Sequence, residues 1–174
     1  MSYTGLPIGA ISTGAIGATG STGMTGATGA SSTIVSAQYY LNARYLTTTA
    51  TPVILSYDYA DVASPAIGYT AGTFTINNTG IYTFVASTTF ATNGTGNRYG
   101  YFQQNGAASQ FGLTIVPAIT TDATGYQTTF TWSLAAGTTI TYTVEQTSGG
   151  NVYLLGFGTT ATQYCQMSIT GTYS

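Results

Sequence analysis

Residues 69–84 read Tyr69-Thr-Ala-Gly72-Thr-Phe74-Thr-Ile76-Asn-Asn-Thr-Gly80-Ile-Tyr82-Thr-Phe84. Asn77-Asn78-Thr79-Gly80 has the chemistry of a turn, because Asn and Gly tolerate the positive φ that tight corners need. Beyond it, Tyr82, Phe84, Ala86 and Phe90 alternate with Ile81, Thr83, Val85 and Ser87. A period of two places the first set on one face of a strand and the second on the other. Before the turn, Gly72 to Ile76 reads as the partner strand.

The same pattern continues through the rest of the chain. Tyr126, Phe130, Trp132 and Leu134 share an expected inward face, with Thr128 as its one polar member. Ile140, Tyr142 and Val144 alternate with Thr and Glu145, and Cys165, Met167, Ile169 and Tyr173 alternate with Gln, Ser and Thr. Further strands are expected at 37–41, 53–57, 99–104 and 152–157. Their β-branched and aromatic residues suit a pleated, half-buried surface. Turn signals recur at Asn105-Gly106, Ala135-Ala136-Gly137 and Ser148-Gly149-Gly150-Asn151. No helical stripe interrupts them, so residues 32–174 read as an all-β, antiparallel sandwich.

Charge is almost absent. The 174 residues hold Arg44 and Arg98 against Asp58, Asp61, Asp122 and Glu145, with no His. Two Arg cannot neutralise the phosphates that nucleic-acid binding requires. Histidine catalysis, lysine Schiff-base chemistry and His-rich zinc sites lack their groups. No apolar run approaches the roughly 20 residues of a membrane-spanning helix. Disorder is disfavoured, since 15 Tyr and 7 Phe in a 43% hydrophobic chain oppose it. Cys165 is the only cysteine, so no internal disulfide forms, and it reads as a small buried hydrophobe. The sequence suggests no enzyme and no cofactor.

The chain divides near residue 31. Gly14, Gly17, Gly20, Gly23, Gly26 and Gly29 keep a strict period of three. This is the pattern of a collagen-like stem, in which only Gly fits the axis where three chains meet. No proline occupies the other positions; Thr19, Thr22, Thr25 and Thr28 recur instead. The stem would span only about 50 Å and would rely on a trimeric neighbour to align its chains. Residues 1–13 fall outside the triplet register. They hold Tyr3, Leu6, Pro7, Ile8 and Ile11 without a charged side chain, and read either as a disordered end or as an anchoring arm.

The residues also carry a family resemblance. The strand with Gly72 and Phe74, the turn, and then Gly80-Ile-Tyr82-Thr-Phe84 resemble the head domain of the complement q subcomponent and tumour necrosis factor superfamily. Gln103-Gln104-Asn105-Gly106, Leu134-Ala-Ala-Gly137-Thr-Thr-Ile140 and the closing segment 163–172 match its later landmarks in order. Thr138 stands where that family usually has Asp, and Asn77 where many members have Pro. The resemblance implies a jelly roll of about ten strands that trimerises about a threefold axis. Independently, a monomer with so many aromatics and so few charges would expose large apolar patches, which usually mark interfaces.

Sites of chemistry are few. Asp58 and Asp61 are weak calcium candidates, or a solvated loop after a strand. Arg98 would pair with one of the acids or meet a neighbouring subunit. The many Tyr would form core, interface or a sugar-binding surface. Two function classes follow. One is a structural surface protein: a homotrimeric knob on a short collagen-like stem, its N-terminal arm held by a shell, capsid or filament protein. The other is a recognition or adhesion module whose head binds glycans or a host receptor. The start of the chain lacks a signal-peptide pattern, which suggests assembly within a cell. Collagen-like proteins with Gly-x-Thr triplets and such heads resemble those of large DNA viruses and phages, and the exosporium filaments of Bacillus-like spores. The expected location is therefore the external surface of a virion or a spore appendage.

Overall fold

The computed structural model describes residues 31–156 and 164–173. The triplet glycines Gly14 to Gly29 and the arm residues Tyr3, Leu6, Pro7, Ile8 and Ile11 lie outside the described residues. Among the described residues the regular structure is all β. The strands are β1 (Thr33–Tyr40), β2 (Tyr45–Thr47), β3 (Val53–Ile54), β4 (Tyr59–Val62), β5 (Ile67–Thr70), β6 (Thr73–Ile76), β7 (Gly80–Phe90), β8 (Asn97–Gln104), β9 (Phe111–Pro117), β10 (Thr124–Leu134), β11 (Thr139–Gln146), β12 (Val152–Leu154) and β13 (Gln166–Tyr173).

Two antiparallel sheets face each other. The first runs β2-β12-β7-β13-β1-β4, with β10 also on β7; the second runs β5-β6-β11-β8-β9, with β3 on β11. Strands far apart in sequence lie side by side, as β1 does with β13, and consecutive strands such as β6 and β7 belong to different sheets. That crossing connectivity is the jelly roll, and it buries both inner faces in one core.

The core is aromatic. Phe74, Tyr82, Phe84, Phe102 and Tyr142 are fully buried. Phe84 lies at its centre: Phe130 and Ile169 are its register partners on β10 and β13. Its ring centroid is 5.9 Å from that of Phe74 and 6.0 Å from that of Phe102, both edge-on. Edge-on packing adds to the area term, at about 0.5–1.5 kcal/mol per pair. Two glycines make the crossings possible. A Cβ on Gly80 would stand 2.3 Å from the Thr172 carbonyl oxygen, and Gly72 holds φ at +84° beside Ile54.

Several boundaries differ from the sequence expectation. Val53 to Tyr57 is not one strand: β3 ends at Ile54, while Leu55 and Tyr57 are buried in an extended connection. Leu55 N donates to Tyr142 O at 2.9 Å there, and Tyr57 N donates to the Tyr69 hydroxyl. The strand expected at 152–157 is shorter, ending at Leu154. Strands β2, β4, β5 and β9 had no counterpart in the sequence reading.

Polar groups inside the sandwich are held by one another. The Tyr142 hydroxyl shares hydrogen bonds with Thr88 Oγ1 at 2.8 Å and Thr128 Oγ1 at 3.3 Å. The Tyr126 hydroxyl donates to Tyr99 O at 2.6 Å, and Thr89 N donates to Cys165 Sγ at 3.3 Å. Cys165 is buried and free, and the Tyr57 hydroxyl is buried without a hydrogen-bond partner. Burial pushes the Tyr142 phenol and the Cys165 thiol each up to about 12, and raises Tyr57 and Tyr126 well above the usual phenol value.

Arg98 meets neither an acid nor the surface; it is a buried cation, 0% exposed. Its guanidinium donates to the carbonyls of Asn93 (2.7 Å), Thr95 (3.0 Å) and Asn97 (3.2 Å) and lies 5.4 Å from the Phe90 ring centroid. Burial lowers its pKa, yet an Arg stays protonated. It ties down the loop between β7 and β8 through the Asn93 and Thr95 carbonyls, and shares the Asn97 carbonyl with the Thr147 N–H.

Two outcomes are expected from this packing. Phe84→Ala removes a fully buried ring and should cost about 3–5 kcal/mol, read as a lower midpoint in urea; an unchanged midpoint contradicts the strand phase. The raised phenols and thiol also give stability a sign. Unfolded Tyr and Cys titrate near about 10 and about 8.5, so the neutral core groups stabilise the fold fully below those values. That stability is lost as pH rises toward 12. Thermal melts should hold level up to about pH 8 and fall steadily above about pH 9; a level melting temperature through pH 11 contradicts the burial.

Candidate functional site: an uncharged sheet face beside an open apolar edge

The outward side chains of the first sheet stand in register across four strands. Thr131, Thr83, Thr170 and Ser36 form one transverse row over β10, β7, β13 and β1. Thr129, Val85, Ser168 and Gln38 form the next, and Ser133, Ile81, Thr172 and Ile34 a third. These rows contain no charged residue. Thr83 and Thr131 share a hydroxyl hydrogen bond of 2.9 Å within their row. Short hydroxyl side chains lose little rotamer entropy when covered and cost far less to desolvate than charges. Ile34 and Ile81, 82% and 57% exposed, end the face on an apolar note.

The edge of the sandwich is built differently. β10 closes one side of the first sheet, and β9 is the last strand of the second. The two approach each other there: Thr114 Oγ1 donates to Gln127 O at 3.1 Å. Gly112, at φ +60°, permits the approach, since a Cβ would lie 2.4 Å from Thr129 O. The pairing of β8 with β9 slips at this point, so the edge is bulged. Leu113, Ile115, Ile119 and Trp132 are 46–56% exposed along it.

Trp132 corrects the sequence reading. Its phase on β10 is the inward one, but it lies beyond the cover of the second sheet and is 56% exposed. Among the described residues, Phe130, at 6.4 Å, and Phe111, at 6.5 Å between ring centroids, make ring contacts with it. Alternation in sequence reports a side chain's face, not whether anything stands opposite it.

Of the remaining candidates, Asp58 and Asp61 belong to the β4 region and Asp122 lies near Ile119. Asp61 belongs to β4 rather than to a loop. Asp58 precedes β4, and its carboxylate accepts the Asn42 backbone N–H. Among the described residues no third Asp, Glu, His or Cys joins them as a metal-ligand group. Asp122, in the β9–β10 loop, accepts Ala123 N at 2.7 Å. The motif residues Gly72, Phe74, Gly80, Tyr82 and Phe84 form the turn, crossing and core described above. A face of hydroxyls and an edge of apolar side chains supply contact area and hydrogen bonds.

No family model and no curated protein matches the sequence. Solved structures do resemble the fold. The globular domain of zebrafish complement 1qA protein superposes with a TM-score of 0.53 at 12% identity, covering 77% of this chain and 94% of that one. Murine APRIL gives a TM-score of 0.54 at 13% identity, covering 79% and 99%. The Eiger TNF from S. frugiperda gives 0.54 at 12%, covering 79% and 92%. At such identity the likeness is one of fold: the described residues form a jelly roll similar to those of the complement 1qA globular domain, APRIL and Eiger.

Proposed function

We propose that this protein is a non-catalytic structural knob: a homotrimeric head on a short collagen-like stem, held on a larger particle by its N-terminal arm. The observation that carries the proposal is the open apolar edge lying on the same molecule as an uncharged sheet face. An exposed edge strand bearing Leu113 and Ile115 is an aggregation hazard unless something covers it. The face, with no charged side chain in its three rows, costs little to desolvate. Edge on face is a heterologous contact, which must close into a ring or grow without limit. The triplet glycines at 14–29 supply the number three, because a collagen-like stem joins three chains. Covering the exposed halves of the four edge side chains contributes on the order of 1 kcal/mol each per interface.

The arm provides the attachment in this reading. Tyr3, Leu6, Pro7, Ile8 and Ile11 give residues 1–13 an apolar density unusual for a solvated tail. Three copies emerge together at the foot of the stem, and tripled weak contacts act as one firm one. The particle is a virion shell or a spore appendage, with the head pointing outward as spacer and protective surface.

Light scattering of the full chain should give three times the 17.9 kDa monomer mass. Because the contact is uncharged, that mass should hold from roughly 0.05 to 1 M NaCl. Trp132→Glu should yield a monomer with unchanged far-ultraviolet circular dichroism. A parent chain that is monomeric at micromolar concentration contradicts the proposal. Deleting residues 2–13 should leave the trimer intact and remove it from the particle surface; undiminished decoration means the anchor lies elsewhere.

A further inference from the structure

A fourth transverse row on the first sheet has different chemistry from the other three. Gln127, Ser87, Gln166, Tyr40 and Tyr59 are register partners across β10, β7, β13, β1 and β4. Four inter-strand steps make the row roughly 19 Å long. It lies at the opposite end of the face from Ile34 and Ile81, beyond the three rows assigned to self-association. The surface here is recessed. A cleft of about 750 Å³ opens over Ser87, Gln127 and Gln166, walled by Asp122, Tyr126 and Tyr164. A second, of about 300 Å³, lies over Tyr40 and Tyr59, bounded by Asn42 and Asp61. Tyr164, which lines the first cleft, has its ring 5.6 Å from that of Tyr40, which lines the second, so the two clefts adjoin across this ring pair and follow the row as a groove with an aromatic centre.

The lining decides what would fit. Two glutamine amides offer donors and acceptors together; Gln127 Nε2 already donates to Ser87 Oγ at 3.1 Å, which orients it. Tyr40, Tyr59 and Tyr164 present flat apolar surface tipped with hydroxyls. Asp122 and Asp61 place an acceptor at each end. An apolar ligand would strip water from amides and carboxylates without replacing their hydrogen bonds. A peptide strand gains its affinity from a free sheet edge, and this row crosses the sheet where the backbone is paired. Sialylated, sulfated or phosphorylated ligands would meet two carboxylates and no lining Arg. A chain of uncharged sugars matches all three features, with ring faces on Tyr and hydroxyls on amides and carboxylates.

We propose that this groove binds a neutral oligosaccharide lying across the strands, with Gln127 and Gln166 reading its hydroxyls and Tyr40, Tyr59 and Tyr164 stacking on its rings. The proposal rests on the reading of the head as an outward-facing knob and requires the groove to stay open in the assembly, since Ile119 of the apolar edge also lines the larger cleft. The test uses the full chain against immobilised neutral oligosaccharides of glucose, mannose, galactose, rhamnose and N-acetylhexosamines, with sialylated and sulfated counterparts alongside. At least one neutral series should bind, and its anionic counterparts at least tenfold more weakly. Gln127→Ala and Tyr59→Ala, both at exposed positions, should each weaken binding tenfold or more, while Thr70→Ala, at an exposed position on β5 of the second sheet, should not. Light scattering and melting of each variant separate loss of sugar from loss of assembly. No binding at millimolar sugar, preference for the anionic forms, or full binding by well-folded Gln127→Ala and Tyr59→Ala would each overturn the assignment.

Discussion

The aromatic core of this jelly roll comes to the surface at one edge, where the described residues leave it uncovered. Ring contacts run from Phe74 to Phe84, to Phe102, to Phe130 and on to Trp132. The first four members are buried, and the last is more than half exposed. A sandwich with so large an aromatic content gains its stability from that continuous packing, which continues past the point where the second sheet ends. The bulge at Gly112 sets where β9 departs and therefore where the core opens. The open edge and the uncharged face are both consequences of one composition.

Scarce charge shapes the rest of the molecule. Arg98 is consumed inside, fastening three loop carbonyls, and Asp58 and Asp122 each accept a backbone N–H. Hydroxyls and amides therefore carry the outer surface. Such groups hydrogen-bond to water almost as readily as to a neighbour, so an association through them would have little desolvation cost and little dependence on salt. The same chemistry, arranged in a recessed row with Tyr beside it, suits sugar hydroxyls. One set of residue types thus forms a flat face in three rows and a groove in the fourth.

Much of this was legible in the sequence. The alternation of Tyr82, Phe84 and Ala86, of Ile140, Tyr142 and Val144, and of Cys165, Met167 and Ile169 gave the inward faces that the structure shows buried. What was hidden depended on contacts distant in sequence. β9 was obscured because Gly112 breaks its period, and β4 because Asp61 reads as a loop residue. The exposure of Trp132 depends on the extent of the opposite sheet. The row from Gln127 to Tyr59 exists only because pairing brings five separated segments into register, and no local pattern encodes that alignment.

Trp132 is the only tryptophan in the chain, so its fluorescence reports directly on the open edge. Emission and acrylamide quenching should be compared between the assembled protein and a sample diluted until light scattering shows monomer. The account predicts a blue-shifted, quencher-protected indole in the assembly and a red-shifted, readily quenched one after dissociation. An indole equally accessible to acrylamide in both states would show that the edge stays open and that self-association, if it occurs, uses another surface.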